Sequence, residues 1–318
     1  MRSLNWPGTS KQLALLAVVV LVLSAGCLGL GGDDGNGTDT LNESDDGDDP
    51  GMDDANGSDD GSADGSADDS GPSLDDLDSV SDDVTAEEIF SESISQLEST
   101  EEYSYVQQSD QAQTRNNRTS EASSRQSVMV DTTEPAVSFE QNQTSQLGST
   151  EADGYLVEGV AYTRSERNAQ QYGSEWIQQN ISQEFDAFVD RYDITSQLTV
   201  FMSNSSATLE GETTYEGQRV YVLTADVDET ALNEYYFGNG TGGSAEFTDV
   251  QMTAWISAES NQPVRIEQTA DSTSEAQNTV IESTVEDTIT FDYSPVDITL
   301  PPEAENAPDI EELQNETA

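Results

Sequence analysis

The sequence predicts an α+β domain, a curved antiparallel sheet wrapped around one leading and one central helix, and three observations predict it. Short β-rich segments with apolar residues at alternate positions recur from Tyr103 to Leu300, separated by polar turns. Two stretches carry clear helical spacing, one before the first strand and one midway. The connections are mostly of hairpin length, without the strand–helix alternation that builds a parallel sheet.

The chain begins with a leader. Arg2 and Lys11 precede eleven uninterrupted apolar residues, Leu13 to Leu23, and Leu23-Ser24-Ala25-Gly26-Cys27 follows. A cationic start, an apolar run and small residues are the layout of a secretory signal. The run weakens at Ser24 and Gly26 before reaching the roughly 17–25 residues of a spanning helix. The pattern resembles the lipobox of prokaryotic lipoproteins. That resemblance implies a signal peptide over residues 1–26, a lipid on the Cys27 thiol, and a mature chain tethered to the outer face of the cytoplasmic membrane. Two acyl chains anchor stably where one does not, and diacylglycerol-type modification supplies two.

Residues 27–83 read as a disordered acidic linker of Gly, Ser, Asp and Asn. Positions 31–83 hold 20 acids and no base, too little apolar surface to fold and enough charge to extend the tether. Asp34-Gly35-Asn36-Gly37-Thr38 starts like a calcium loop, but Asp39 stands where that loop needs glycine and Asp45 where it needs glutamate. Diffuse cation condensation is the expectation there, and no metal site or cofactor is expected anywhere.

The domain is expected over residues 84–303. Thr85-Ala86-Glu87-Glu88 forms a capping box, and Phe90, Ile94 and Leu97 follow at helical spacing, giving a helix to about Ser99. Strands are expected at Tyr103–Gln108, Arg125–Asp131, Ala136–Gln141, Tyr155–Val157 and Val160–Arg164, the last two joined by Glu158-Gly159 as a tight hairpin. A less regular segment carries Trp176, Phe185 and Phe188. The central helix spans Ile194–Met202, with Leu198, Phe201 and Met202 on its apolar face. Strands resume at Ala207–Thr214 and Arg219–Val227 around Tyr215-Glu216-Gly217-Gln218. A short helical stretch, Glu229–Phe237, precedes the glycine-rich Gly238–Gly243. Glu246–Ser257 and Val264–Thr269 pair around Asn261-Gln262-Pro263, and Thr279–Phe291 is the last long strand. Residues 304–318 are expected to be a disordered acidic tail.

Composition removes chemistries. The chain has 10 basic and 64 acidic residues, no histidine, one cysteine and one lysine. Without histidine there is no Ser-His-Asp or Cys-His machinery, and a lone cysteine permits no intramolecular disulfide. No basic patch exists to neutralise phosphates, so nucleic acid is excluded as a partner. A formal charge of −54 repels itself in dilute buffer. Multimolar salt shortens the Debye length to ~3 Å or less and screens that repulsion. Acidic excess without lysine resembles the proteins of extreme halophiles and implies a haloarchaeal surface protein. A cooperative far-ultraviolet circular dichroism transition is expected in ~3 M salt and not in ~0.1 M.

The order of elements resembles the LolA/LppX-type lipoprotein carrier superfamily. The matching residues include the leading helix with Phe90 and Leu97, the Tyr155–Tyr162 hairpin, Trp176, and the Leu198–Met202 helix. The C-terminal part is the strongest: Tyr221-Val222-Leu223, Trp255-Ile256-Ser257, Pro263-Val264-Arg265-Ile266, Phe291-Asp292-Tyr293 and Val296–Pro301. The resemblance implies a half-open β-barrel with helices on its concave face and an apolar cavity for a hydrophobic ligand such as a lipid.

Alternation places Val250, Met252, Ala254 and Ile256 on one face of their strand and Gln251, Thr253 and Trp255 on the other. Phe201, Met202, Tyr221, Leu223, Val250, Met252, Ile256, Ile289 and Phe291 are the candidate cavity lining. A dry core against the helices accounts equally for such rows. On an exported chain, the sequons at Asn117, Asn142, Asn180, Asn204 and Asn239 are candidate glycan sites in exposed loops. Two non-catalytic functions are expected to compete, a membrane-tethered binder of a lipid or other hydrophobic ligand and a structural or interaction lipoprotein of the envelope. A carboxylate enzyme ranks below both, because no acidic pair stands out among so many.

Overall fold

In the computed structural model, the described residues are 74, 77–81, 84–146, 148–230, 232–233, 246–276 and 279–316. The leader, Cys27, most of the linker, the stretch beyond Asn233 to Ala245 and Asn239 lie outside them. Helix α1 (Ala86–Ser99) leads, followed by β1 (Glu102–Arg115), β2 (Arg118–Asp131), β3 (Ala136–Ser145), β4 (Gly148–Val157) and β5 (Val160–Ser165). Helix α2 (Glu166–Tyr172), β6 (Trp176–Asn180), α3 (Phe185–Tyr192) and α4 (Ile194–Ser203) come next. Strands β7 (Ser205–Tyr215), β8 (Gln218–Val227), β9 (Glu246–Ser257), β10 (Pro263–Ala276) and β11 (Thr279–Asp292) precede two short helices, α5 (Pro302–Glu305) and α6 (Ile310–Glu316).

The eleven strands form one unclosed antiparallel sheet in the order β6-β5-β4-β3-β2-β1-β11-β10-β9-β8-β7. It consists of two meanders, β1–β6 and β7–β11, and the first and last strands join them along twelve residue pairs. Three two-residue hairpins have both central residues at positive φ, the type I′ geometry that follows strand twist: Asn116-Asn117, Glu158-Gly159 and Glu216-Gly217.

Local chemistry sets the helices. Thr85 caps α1 by accepting from the Glu88 N–H at 3.3 Å and donating to the Glu88 carboxylate at 3.0 Å. Ile89, Phe90 and Leu97 are buried, each such side chain contributing about 1.5–3 kcal/mol. Asp193 caps α4 through the Thr195 N–H at 3.1 Å and the Ser196 hydroxyl at 3.0 Å. The segment expected to be irregular instead folds as β6 and α3, and α2 was not expected at all. Its sequence, Glu-Arg-Asn-Ala-Gln-Gln-Tyr, buries no residue, so it has no apolar period to read. Glu229, Thr230, Leu232 and Asn233 are helical, as expected.

Both sheet edges are covered by segments expected to be disordered. On β7, Asp78 pairs with Glu212 through N–H···O bonds of 2.8 and 2.9 Å, and Gly211 makes room for it. A Cβ at Gly211 would lie 2.7 Å from both the Leu77 Cβ and the Asp78 carbonyl oxygen. On β6, the Gln178 N–H donates to the Pro308 carbonyl at 3.0 Å and Asp309 forms a parallel bridge. Ala304 and Ala307 are buried beside it. The tail from 304 to 316 is therefore part of the domain, as are residues 77–81. An edge strand left bare is a template for pairing with another chain, and one bridge on each edge interrupts it.

Candidate functional site

The concave face of the sheet can be followed row by row from the registers. Near the helices the rows are apolar: Val130 opposite Tyr103, then Val128, Tyr105 and Phe291 across β2, β1 and β11. The next row is Gln126, Gln107, Ile289 and Ile266 across β2, β1, β11 and β10. Then comes Ser124, Ser109, Asp287 and Gln268, followed by Ala122, Gln111, Val285 and Ala270. On β9 the same face stays apolar, with Ala254, Met252 and Val250 buried. The surface is thus divided into an apolar end beneath the helices and an amide and hydroxyl stretch on β1, β2 and β11.

Three contacts pin the α3–α4 junction over the apolar end. The Tyr103 hydroxyl donates to Asp193 Oδ1 at 2.8 Å, and the Tyr105 hydroxyl donates to the Tyr192 carbonyl at 3.2 Å. The Tyr192 ring stacks on Phe139 at 4.9 Å. Phe139 lies over its register partner Gly154, where a Cβ would come within 2.3 Å of the ring. Burial, with the Asp193 carboxylate beside it, pushes the Tyr103 phenol well above its ordinary value. Burial does the same to Tyr105 and Tyr192. The phenols of Tyr103 and Tyr105 are therefore proton donors throughout the range in which proteins are handled.

The nine candidate lining residues divide. Phe201, Met202, Leu223, Val250, Met252, Ile256 and Ile289 are each no more than 3% exposed, while Tyr221 and Phe291 are half-buried. Leu223 and Ile256 present no accessible surface, which leaves no water-sized void beside them. These seven are core in this conformation, Phe201 and Met202 on α4 and the others on β8, β9 and β11. On the convex face, Val220, Val222, Trp255 and Val264 make a second apolar cluster, with Leu77 and Tyr215 packed on it.

Residues that the sequence did not single out occupy the middle of the concave face. Gln107, Gln126, Gln268 and Asp287 are only 6–8% exposed. Asp287 is hydrogen-bonded by Ser109 and Gln107, yet its Oδ1 has no protein partner, and neither do Gln111 Nε2 and Gln126 Nε2. Burial raises the Asp287 carboxyl above the usual carboxylate range, Asp110 adds to the rise, and the bonds from Ser109 and Gln107 oppose it. The legible signal was period two: Gln107, Ser109 and Gln111 continue the row of Tyr103 and Tyr105.

Among the sequons, Asn117 lies exposed in the β1–β2 turn, and Asn180 and Asn204 lie exposed at element ends. Asn142 is exposed within β3 rather than in a loop, because that strand runs on to Ser145. Among the described residues, no group of three or more Cys, Asp or Glu side chains is arranged to hold a metal ion, and no helix is long and apolar enough to cross a membrane.

No protein-family model and no curated protein matches the chain. Among solved structures, LprF from Mycobacterium bovis is 13% identical with a TM-score of 0.36, over 69% of this chain and 97% of that one. The Mycobacterium tuberculosis lipoprotein LppX is 12% identical with a TM-score of 0.33, over 68% of this chain and 100% of that one. A LolA superfamily protein from Nitrosomonas europaea is 10% identical with a TM-score of 0.22, over 68% of this chain and 96% of that one. Likenesses of this size carry no argument about what the domain binds.

Proposed function

We propose that the chain is a cell-surface lipoprotein, tethered through a lipid on Cys27, whose domain holds a lipid or other hydrophobic ligand against the concave face of its sheet without catalysis. The observation that carries this reading is the half-covered concave face. An unclosed sheet of eleven strands is roofed by helices at one end, while its inner rows beyond Gln107 remain partly accessible. Within those rows, Val285 on β11 and Ala122 on β2 are partly accessible apolar residues. Burial of a ligand's apolar surface there is worth about 25 cal/mol per Å². It is also the function that the sequence resemblance to lipoprotein carriers implies.

The sealed packing of Leu223, Ile256 and their neighbours favours a second reading, an envelope lipoprotein whose domain serves interaction alone. Native mass spectrometry of the protein extracted from its own membranes separates the two. The binding reading expects the mass of the lipidated chain plus a releasable ligand. Lipidated chain with an empty domain would leave the interaction reading.

A further inference from the structure

We infer that the middle of the concave face recognises the neutral polyhydroxyl headgroup of an amphiphile, through Gln111, Gln126 and Asp287. The inference rests on the ligand-holding reading above and names the ligand's polar end.

The argument starts from hydrogen-bond accounting. Gln111 Nε2 and Gln126 Nε2 are buried donors without a protein partner, and Asp287 Oδ1 is a buried acceptor without one. A polar group buried without a partner costs free energy, so each of the three calls for one. The three occur on adjacent strands of one face, β2, β1 and β11, within neighbouring register rows. Strand spacing is about 4.8 Å and the rise about 3.3 Å per residue, so Gln126 and Gln111, on adjacent strands and two rows apart, stand about 14 Å apart at their Cα atoms with Asp287 in the row between, a patch for several hydroxyls rather than a single one. The remaining groups of the patch, Ser109, Gln107 and Gln268, are also donors and acceptors.

The chemistry selects the partner. Two amide donors beside a carboxyl acceptor call for a ligand that both accepts and donates across a short distance. An ammonium only donates and cannot satisfy the amides. A phosphate or carboxylate only accepts, and it would face Asp287 at close range. Arg115 and Arg118 are exposed at the strand tips, six residues beyond the Ser109–Asp287 row at the centre of the patch and so about 20 Å from it. A peptide group points its N–H and C=O in opposite directions, whereas neighbouring hydroxyls direct both functions to one surface. Val285 and Ala122, in the row of Gln111, are partly accessible, so an alkyl chain beside the headgroup has surface to cover.

The test is calorimetric titration of the full chain in ~3 M salt with octyl glucoside below its micelle concentration, octanol, octanoate and glucose. The expected result is that octyl glucoside binds at least about tenfold more tightly than octanol or octanoate. Gln111→Leu combined with Gln126→Leu is expected to abolish that preference and leave octanol binding unchanged. Equal binding of octyl glucoside and octanol by the unsubstituted protein overturns the inference while the ligand-holding reading stands, and this comparison needs no variant to fold. Failure of every amphiphile to bind overturns both. Glucose binding as tightly as octyl glucoside supports the polyol chemistry of the site and overturns its assignment to a lipid.

Discussion

The two ends of β1 are built from one strand, yet they differ in almost every physical respect. At Tyr103 and Tyr105 the inner face is sealed, its phenols hydrogen-bonded to the α3–α4 junction and its rings packed. Past Gln107 the same row carries Ser109, Gln111 and Gln113, partly open, and the Gln111 amide nitrogen is buried without a protein partner. The first arrangement favours stability, because the buried Tyr103 and Tyr105 hydroxyls are both paired. The second forgoes stability in a way that natural interiors rarely tolerate without a reason. The contrast teaches that stability and recognition occupy different lengths of the same strands.

Substitutions sharpen the contrast in descending order of effect. Phe201→Ala, on the buried side of α4, is expected to lower unfolding free energy by about 3–5 kcal/mol in denaturant titration at high salt. A loss below about 1 kcal/mol would mean that the sealed end is looser than its burial indicates. Tyr103→Phe removes a hydrogen bond to a carboxylate, and a loss of about 1.5–3 kcal/mol is expected, with the α3–α4 junction exchanging its amide hydrogens faster. At the open end, Gln113→Ala should change stability by no more than about 0.5 kcal/mol.

Asp287→Asn reverses the sign. The folded carboxyl is raised above its unfolded value, so ionisation disfavours the fold. The native protein loses stability as pH rises from the usual carboxylate range through the raised value. The variant removes this dependence, the neighbouring Asp110 charge notwithstanding. A higher Tm than the parent is expected near neutral pH, and the difference should vanish once the pH falls below the usual carboxylate range. A variant less stable than the parent at neutral pH would show that the ionised group is well solvated or paired.

Much of the roofed end was legible in the sequence. Thr85 and Glu88 mark the start of α1, the Glu158-Gly159 turn sets the β4–β5 register, and alternation over Val250–Ile256 identifies the buried face of β9. These signals work because an apolar core imposes a period on the residues that face it. The outer halves of β1 and β2 gave no such signal. Their Gln, Ser and Thr residues are polar on both faces, so strands expected to end at Gln108 and begin at Arg125 in fact continue to Arg115 and from Arg118. The patch around Asp287 was hidden for the same reason, since glutamine in a strand reads as solvent-facing unless its row is traced back to Tyr103. The edge covers were missed because a single backbone bridge and two buried alanines leave no pattern in composition.

The junction of β1 with β11 has a consequence for how the molecule is made. A chain that emerges from its N-terminus completes α1 and β1 early, but the partner on the far side of β1 is residues 281–292, near the end. Until they arrive, the first meander carries an unprotected edge in what becomes the middle of the sheet, and the second has no neighbour to align with. Closure therefore waits on the longest loop in the domain, a slow step by its entropy and the stage most open to wrong pairing. Truncation anywhere before Thr279 removes the seam itself, not merely an outer strand.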